Sequence, residues 1–331
     1  MIVTRTPFRV SFFGGGTDYP PWFRENGGAV LATTIDKYCY ISCRHLPQFF
    51  EHKHRIVYSN VENVREIDEI KHPAVREVLR WAGVEKGLEI HHDGDLPARS
   101  GLGSSSSFTV GLINALAALQ GNIASKQQLA SDAIHVEQNI IKENVGSQDQ
   151  ISAAYGGFNK IVFNPDDTFD VQPIILNHER KSDLENHLML FFTGFSRIAS
   201  EVAGSKIANL KNREVELKTM YQMVDESLSI LQNNNTSIEE FGRLLNQSWQ
   251  LKRSLSDKVS TPEIDVLYET AMKAGAIGGK LLGAGGGGFL LVFAKPELQA
   301  KVKSALNHLV HVPFKFDNSG SRVVLYQPNG L

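Results

Sequence analysis

Glycine placement constrains this sequence more than any other feature. Thirteen of its 28 glycines fall in three short clusters, Gly14–Gly16, Gly101–Gly103 and Gly275–Gly288. A collagen-like chain would repeat its glycines periodically, and a low-complexity chain would spread them. Three separated clusters mark three places where backbone must come close to a ligand or to another stretch of chain.

The rest of the composition describes a globular protein. At 331 residues, 42% hydrophobic and 21% charged, the chain has room for about two domains. Its longest purely apolar run, Phe289–Ala294, is far shorter than the ~18 residues a membrane span needs. Lys+Arg 34 against Asp+Glu 36 gives no reason to expect a nucleic-acid partner. The start, Met1–Thr6, lacks the basic stretch and apolar core of a signal peptide. Cys39 and Cys43 sit in an alternating segment. On a strand they would lie ~13 Å apart, too far for a disulfide. A cytoplasmic setting is the expectation. The pairs His91–His92 and His52–His54 lack a full metal-ligand set and read as surface histidines.

The first half reads as mixed α and β. Phe8–Phe13, Tyr38–Cys43 and Leu88–His92 have strand composition, and His72–Ala82 is a short helix. Ser104–Gln120 forms a helix buried on much of its surface, and Ser125–Val145 opens on a capping box. The second half is richer in helix: Ala199–Leu210, Glu214–Gln232 and Thr236–Leu255, the last capped by Thr236 with Glu239. Thr261-Pro262-Glu263 starts another helix that Gly275 ends. Strand Phe289–Ala294, helix Pro296–Leu309 and strand Arg322–Gln327 finish the chain. The polar stretch Asn177–Asp183 marks the expected boundary between domains 1–180 and 181–331 of an α+β protein.

The middle cluster carries the clearest chemistry. In Leu96–Ser107 a glycine turn leads from a strand into a helix N-terminus, where free N–H groups and the helix dipole favour an anion. No Gly-Lys-Ser/Thr closes it, so it is not a Walker A loop. Ser106 stands where a dinucleotide fingerprint needs its third glycine. The last cluster, Gly283–Gly288, does match G-x-G-x-x-G, but a strand follows it where a helix is required, which argues against NAD. Two acids stand out. Glu137 falls on the apolar stripe of its helix, costly for a carboxylate buried without a partner. Asp149 follows Gly146 and is also explained as a helix cap.

The three clusters in this order, with those two acids between the second and third, resemble the GHMP small-molecule kinases. The resemblance implies a fold with an N-terminal domain like ribosomal protein S5 domain 2 and a ferredoxin-like C-terminal domain. It implies ATP and Mg²⁺ in the cleft between them. By the same likeness Arg99, Ser100, Gly101, Leu102, Gly103, Ser104, Ser105 and Ser106 form the phosphate loop. Ser105 and Glu137 would hold the metal, Asp149 would deprotonate or orient the acceptor hydroxyl, and Arg9 would lie beside it. Gly15, Gly16, Thr17, Asp18, Arg197, Gly285 and Gly286 would surround the acceptor.

Within the superfamily, Arg9–Asp18, Gly28–Tyr38 and Thr193–Arg197 are most similar to kinases of D-glycero-D-manno-heptose 7-phosphate, so a small-molecule sugar phosphate is the expected partner. Galactokinases carry Glu-His where this chain has glycines. Fucose kinases have a related glycine-rich version. Arg197, Arg24 and Lys37 are candidates to clamp the acceptor phosphate. The rival readings are another sugar 1-kinase, a diphosphate decarboxylase of the same superfamily, and a binding protein without catalysis.

Overall fold

The computed structural model describes residues 1–194 and 199–328, built on a nine-stranded and a four-stranded sheet. The chain opens with a long antiparallel pair. Strand β1 (Ile2–Phe13) lies against the 18-residue β2 (Gly28–His45), with helix α1 (Pro20–Asn26) in the connection. Their register slips between Pro7 and Arg9 and again between Ser11 and Phe13. Such irregularities re-aim side chains, and Arg9 follows the first of them. Strands β3 (His54–Val57), β4 (Val61–Val64) and β5 (Leu88–Gly94) extend the sheet beyond the second half of β2, with α2 (Pro73–Trp81) between β4 and β5.

Helix α3 (Ser104–Leu119) follows the middle glycine cluster directly. It packs on β1 and β2 and is buried almost all round from Ser106 to Ala118, as its lack of a polar face requires. Helices α4 (Lys126–His135) and α5 (Gln148–Tyr155) cover it. The expected single helix Ser125–Val145 does not persist. Ser125 does accept the Gln128 N–H at 3.1 Å, but after α4 the chain widens into a π-turn over Val136–Ile140, closed by Ile141 N–H to the Val136 carbonyl at 2.8 Å. Lys142 is left-handed at φ 61°, which ends the helix. Turns of this kind frequently mark functional sites, and this one carries Glu137. Strands β6 (Phe158–Phe163) and β7 (Phe169–Pro173) complete the first half of β2's flank.

The expected polar boundary is itself a helix, α6 (His178–Asn186), because Asn177 accepts the Arg180 N–H at 2.7 Å and caps it. Strand β8 (Leu188–Phe192) follows, then α7 (Ala199–Asn209), α8 (Glu214–Gln232), α9 (Glu239–Ser254) and α10 (Pro262–Lys273). The unit closes with β9 (Ala276–Leu281), β10 (Phe289–Ala294), α11 (Gln299–Ala305) and β11 (Val310–His311). The order β11-β8-β10-β9, antiparallel throughout, is the ferredoxin-like arrangement. Thr236 does not cap α9: its N–H turns back to the Asn233 carbonyl, and the Ser237 hydroxyl accepts from Glu239 N–H at 3.2 Å.

The chain ends in the first sheet, not in the second unit. Strand β12 (Phe316–Asp317) pairs with β2, and β13 (Arg322–Tyr326) covers the outer edge of β1, which would otherwise expose a row of unpaired amides. A 181–331 domain is therefore too long by its last strands. Phe12 and Phe13 of β1 meet Phe241 of α9 edge-on at 5.5 and 5.1 Å, and Lys280 Nζ donates to the Phe12 carbonyl at 2.6 Å. These contacts join the two units. Cys39 and Cys43 are buried and unbridged. His54 is also fully buried, against the surface expectation, with Nδ1 accepting from Leu88 N–H at 3.4 Å. Among the described residues no helix is long and apolar enough to cross a membrane.

Candidate active site

The middle cluster forms a tight loop with three left-handed positions, Arg99 (φ 58°), Gly101 (φ 84°) and Gly103 (φ 74°). Ser107 is the first residue whose N–H joins the helical ladder, bonding Gly103 O at 2.9 Å. The amides of Ser104, Ser105 and Ser106 therefore precede that ladder at the positive end of a 16-residue helix. Arg99 and Ser105 are exposed, and Gly101 and Ser104 half-buried. Leu102 is buried with its carbonyl taken by Arg9 N–H at 3.0 Å, and Ser100 is buried with its carbonyl taken by Phe289 N–H at 3.0 Å. The side of the loop open to an anion thus narrows to Arg99, Gly101, Ser104 and Ser105.

Arg9 lies under this loop, its side chain only 4% exposed. Nε and Nη2 each donate to one oxygen of Asp149 at 2.8 Å, and Nη1 donates to the Gly101 carbonyl at 2.7 Å. One guanidinium thus fixes both the plane of a carboxylate and the position of the phosphate-loop backbone. Asp149, on the first turn of α5, remains 26% exposed while the guanidinium that holds both its oxygens is buried. A side chain at Gly103 would come within 3.5 Å of that carboxylate.

Glu137 is 1% exposed, on the π-turn. Oε2 accepts from the Ser106 hydroxyl at 2.9 Å and from the Gln150 amide. Oε1 has no hydrogen-bond partner, the nearby Thr109 hydroxyl being turned to the Ser105 carbonyl. Burial pushes its pKa from 4.5 up to about 7, against the Thr109, Ser106 and Gln150 side chains that favour the charge. Glu143, next to it, is also raised by burial and opposed by Arg99. Ser105, expected to hold the metal together with Glu137, does not touch that residue directly. Consecutive helical residues point ~100° apart, so it is Ser106 that meets Glu137 while Ser105 faces outward. A buried carboxylate oxygen without a hydrogen bond suits a divalent cation. Among the described residues no group of three His, Cys, Asp or Glu could hold a metal ion by itself.

The first cluster presents Asp18, 2% exposed, whose Oδ1 accepts from Gly16 N–H at 2.9 Å and whose Oδ2 accepts from Gln148 Nε2 at 3.0 Å. Tyr19 lies against both aspartates: burial first, then Asp18 and Asp149, raise its phenol. Thr17 is not open to a ligand, because its fully buried hydroxyl donates to the Gly14 and Ala29 carbonyls at 2.8 and 2.9 Å. Gly285 and Gly286 are likewise buried, with Gly286 N–H on the Val259 carbonyl at 2.9 Å. The third cluster serves to seat the second: a Cβ on Gly288 would lie 2.2 Å from Ser100 O, and one on Gly101 would lie 2.6 Å from Leu282 O. Arg24 and Lys37 are engaged by Asp167 and Asp36 at 2.7 and 2.8 Å. Arg197 lies outside the described residues.

Sequence reasoning missed Gln148 and Gln150, which flank Asp149 and reach Asp18 and Glu137 respectively. It also missed Lys252, buried on the apolar stripe of α9 with Leu245 and Trp249, whose ammonium holds the Leu281 and Gly283 carbonyls at 2.8 and 2.7 Å. A lone lysine three residues after Trp249 on that stripe was the available signal.

Residues 68–157 match the model of the GHMP kinase N-terminal domain, and residues 207–311 that of the GHMP kinase C-terminal domain. The chain belongs to the GHMP kinases. This GHMP kinase is 29% identical to D-glycero-alpha-D-manno-heptose 7-phosphate kinase of Campylobacter jejuni over 92% of its own length and 93% of that enzyme's. It is 24% identical to galactokinase of Pyrococcus furiosus, covering 92% of each chain. A crystal structure of a D-glycero-D-manno-heptose 1-phosphate kinase from Bacteroides thetaiotaomicron superposes with a TM-score of 0.79 at 23% identity, over 98% of both chains. Galactokinase of Lactococcus lactis with galactose gives 0.72 at 20% identity, over 97% of this chain and 94% of that one. These likenesses fix the fold, and the matched domains fix the enzyme class as a phosphotransferase.

Proposed function

We propose that this GHMP kinase transfers the γ-phosphoryl group of ATP to the anomeric hydroxyl of D-glycero-D-manno-heptose 7-phosphate, giving the α-1,7-bisphosphate and ADP on the way to GDP-heptose. A cytoplasmic setting goes with that chemistry. The Arg9–Asp149 pair beneath the phosphate loop carries the reaction type. The heptose acceptor rests on likeness to the Campylobacter enzyme over almost the whole chain.

Phosphoryl transfer depends mainly on positioning and on neutralising charge. The Ser104 and Ser105 amides and the α3 dipole would bind phosphate oxygens, and exposed Arg99 would face them. Glu137 would hold Mg²⁺ through its free oxygen, and the metal when bound supplies charge neutralisation for the phosphates. Asp149 would accept or orient the acceptor proton as the new O–P bond forms and the bond to the ADP oxygen breaks. Arg9 bonds both Asp149 and the Gly101 carbonyl, so base and phosphate loop keep one distance from each other. The test is ADP release with heptose 7-phosphate, fucose, galactose and mevalonate derivatives as acceptors. Turnover of the heptose alone supports the reading. Preference for another sugar replaces the acceptor, release of CO₂ marks a lyase, and no turnover at all marks a binding protein.

A further inference from the structure

Lys252 puts a charge where its helix calls for an apolar side chain. It continues the stripe of Leu245 and Trp249 on α9 and is 5% exposed. Its ammonium donates to the Leu281 carbonyl at 2.8 Å and the Gly283 carbonyl at 2.7 Å, with the Trp249 ring centroid 5.8 Å away. Leu281 ends β9, and Gly283 opens the glycine loop that follows it. Burying an ammonium is costly even when it is hydrogen-bonded, and a plain apolar residue would fill the stripe. What the ammonium adds is a fixed position for that loop.

The position matters because the Gly283–Gly288 loop is the back of the phosphate loop. A Cβ on Gly283 would lie 2.5 Å from Gly101 Cα, and Phe289 N–H bonds the Ser100 carbonyl at 3.0 Å. The Gly101 carbonyl accepts from Arg9 Nη1 at 2.7 Å, while the other two donors of that guanidinium hold Asp149. Contacts thus run without a gap from α9 through two backbone loops to the carboxylate. None of them passes through Asp18, which Gly16 N–H and Gln148 hold from the other side.

We infer that Lys252 is a positioning residue for phosphoryl transfer: its ammonium holds the Gly283–Gly288 loop against Gly101, and so fixes the phosphate loop and the Arg9–Asp149 pair. The inference rests on the reading of that pair as the reacting centre. It does not depend on which sugar is bound.

Lys252→Met keeps the length of the side chain and removes its donors. Arg180 supplies the matched control, being 8% exposed with its guanidinium on the Ile230, Leu231 and Thr236 carbonyls. Lys252→Met and Arg180→Met should both melt below wild type. Only Lys252→Met should lose kcat, by about tenfold or more, with KM for ATP raised about fivefold or more and KM for the acceptor within about twofold. Lys252→Gln, which keeps an N–H donor on a shorter side chain, should show the same split and takes the place of Lys252→Met if that variant does not fold. Kinetic constants within about twofold of wild type overturn the inference. So does an equal kinetic loss in Arg180→Met, or an acceptor KM that rises along with that of ATP. Calorimetry with MgADP reads the same path without an acceptor: affinity should fall about fivefold or more in Lys252→Met and stay within about twofold in Arg180→Met. Wild type that binds MgADP but turns over no acceptor of the panel overturns the catalytic reading of Arg9 and Asp149, and the calorimetry then decides whether Lys252 holds the phosphate loop.

Discussion

Glu137 makes a pH-dependent prediction whose size follows from its surroundings. Its pKa rises from 4.5 to about 7 on folding, chiefly through burial. The native state therefore holds a proton that the unfolded chain has lost, and stability falls as pH rises through that window. Below pH 4.5 the carboxyl is neutral in both states and costs nothing. Above pH 7 it is charged in both, and the native state carries the full penalty. At 1.36 kcal/mol per unit the whole effect is about 3 kcal/mol, most of which accrues between pH 5 and pH 8.

Glu137→Gln removes the titration and keeps the shape, since its carbonyl can still accept from Ser106 and Gln150. Urea unfolding of both proteins at pH 5, 6, 7 and 8, without nucleotide, isolates the effect of Glu137 together with its coupling to Glu143. The variant should gain about 2 to 3 kcal/mol on wild type across that range, most steeply between pH 5 and 7. A difference that stays flat across that pH range would falsify the buried, neutral Glu137. Calorimetry of MgATP binding gives a second reading. A cation beside the carboxyl favours its charged form, so wild type should release close to one proton at pH 6 and almost none at pH 8, and Glu137→Gln should show no such excess.

Three further substitutions address the remaining parts. Asp149→Asn should cut kcat by about a thousandfold or more while leaving nucleotide affinity within a few-fold; near-normal turnover in a coupled ADP assay would remove Asp149 from the reaction. Arg9→Lys keeps the charge but loses the two parallel donors to Asp149 and the bond to Gly101, so kcat should fall about 10- to 100-fold, and an unchanged rate would show that the fork does not matter. Gly101→Ala must place a Cβ 2.6 Å from the Leu282 carbonyl oxygen at φ 84°; it should cost at least ~2 kcal/mol and lower the melting temperature by roughly 5 °C, and an unaltered melting curve would mean that the two loops do not interlock.

Strands and helices with strong periodic patterns were legible from the residues alone. Pro262 behind Thr261 begins α10, and the six apolar residues of β10 form a strand buried along its length. The failures have local physical causes. The helix expected over Ser125–Val145 breaks because burying Glu137 beside Ser106 and Gln150 goes with a wider turn, and a 3.6-residue pattern contains no signal for an extra residue. Thr236 and Glu239 have the spacing of a capping box, yet the turn to Asn233 moves the start of α9 onwards. The return of β12 and β13 to the first sheet is a long-range pairing that composition near Asn177 could not announce.

The site shows the same division between residue type and position. Glu137 is visible from the residues because a carboxylate on an apolar stripe is too costly to bury alone, whereas Arg9 and Asp149 stand out only through the likeness to the GHMP kinases. Their partners are harder to see, since Gln148, Gln150 and Ser106 are ordinary polar residues until the fold turns them inward. Glycine is the most ambiguous signal. Gly101 and Gly288 have no side chain because another backbone lies where it would be, whereas a Cβ on Gly15 would meet nothing closer than 4.0 Å. Clustering in sequence cannot separate these cases, because both remove a Cβ. What separates them is whether another part of the protein stands where the Cβ would be, and at Gly15 none does.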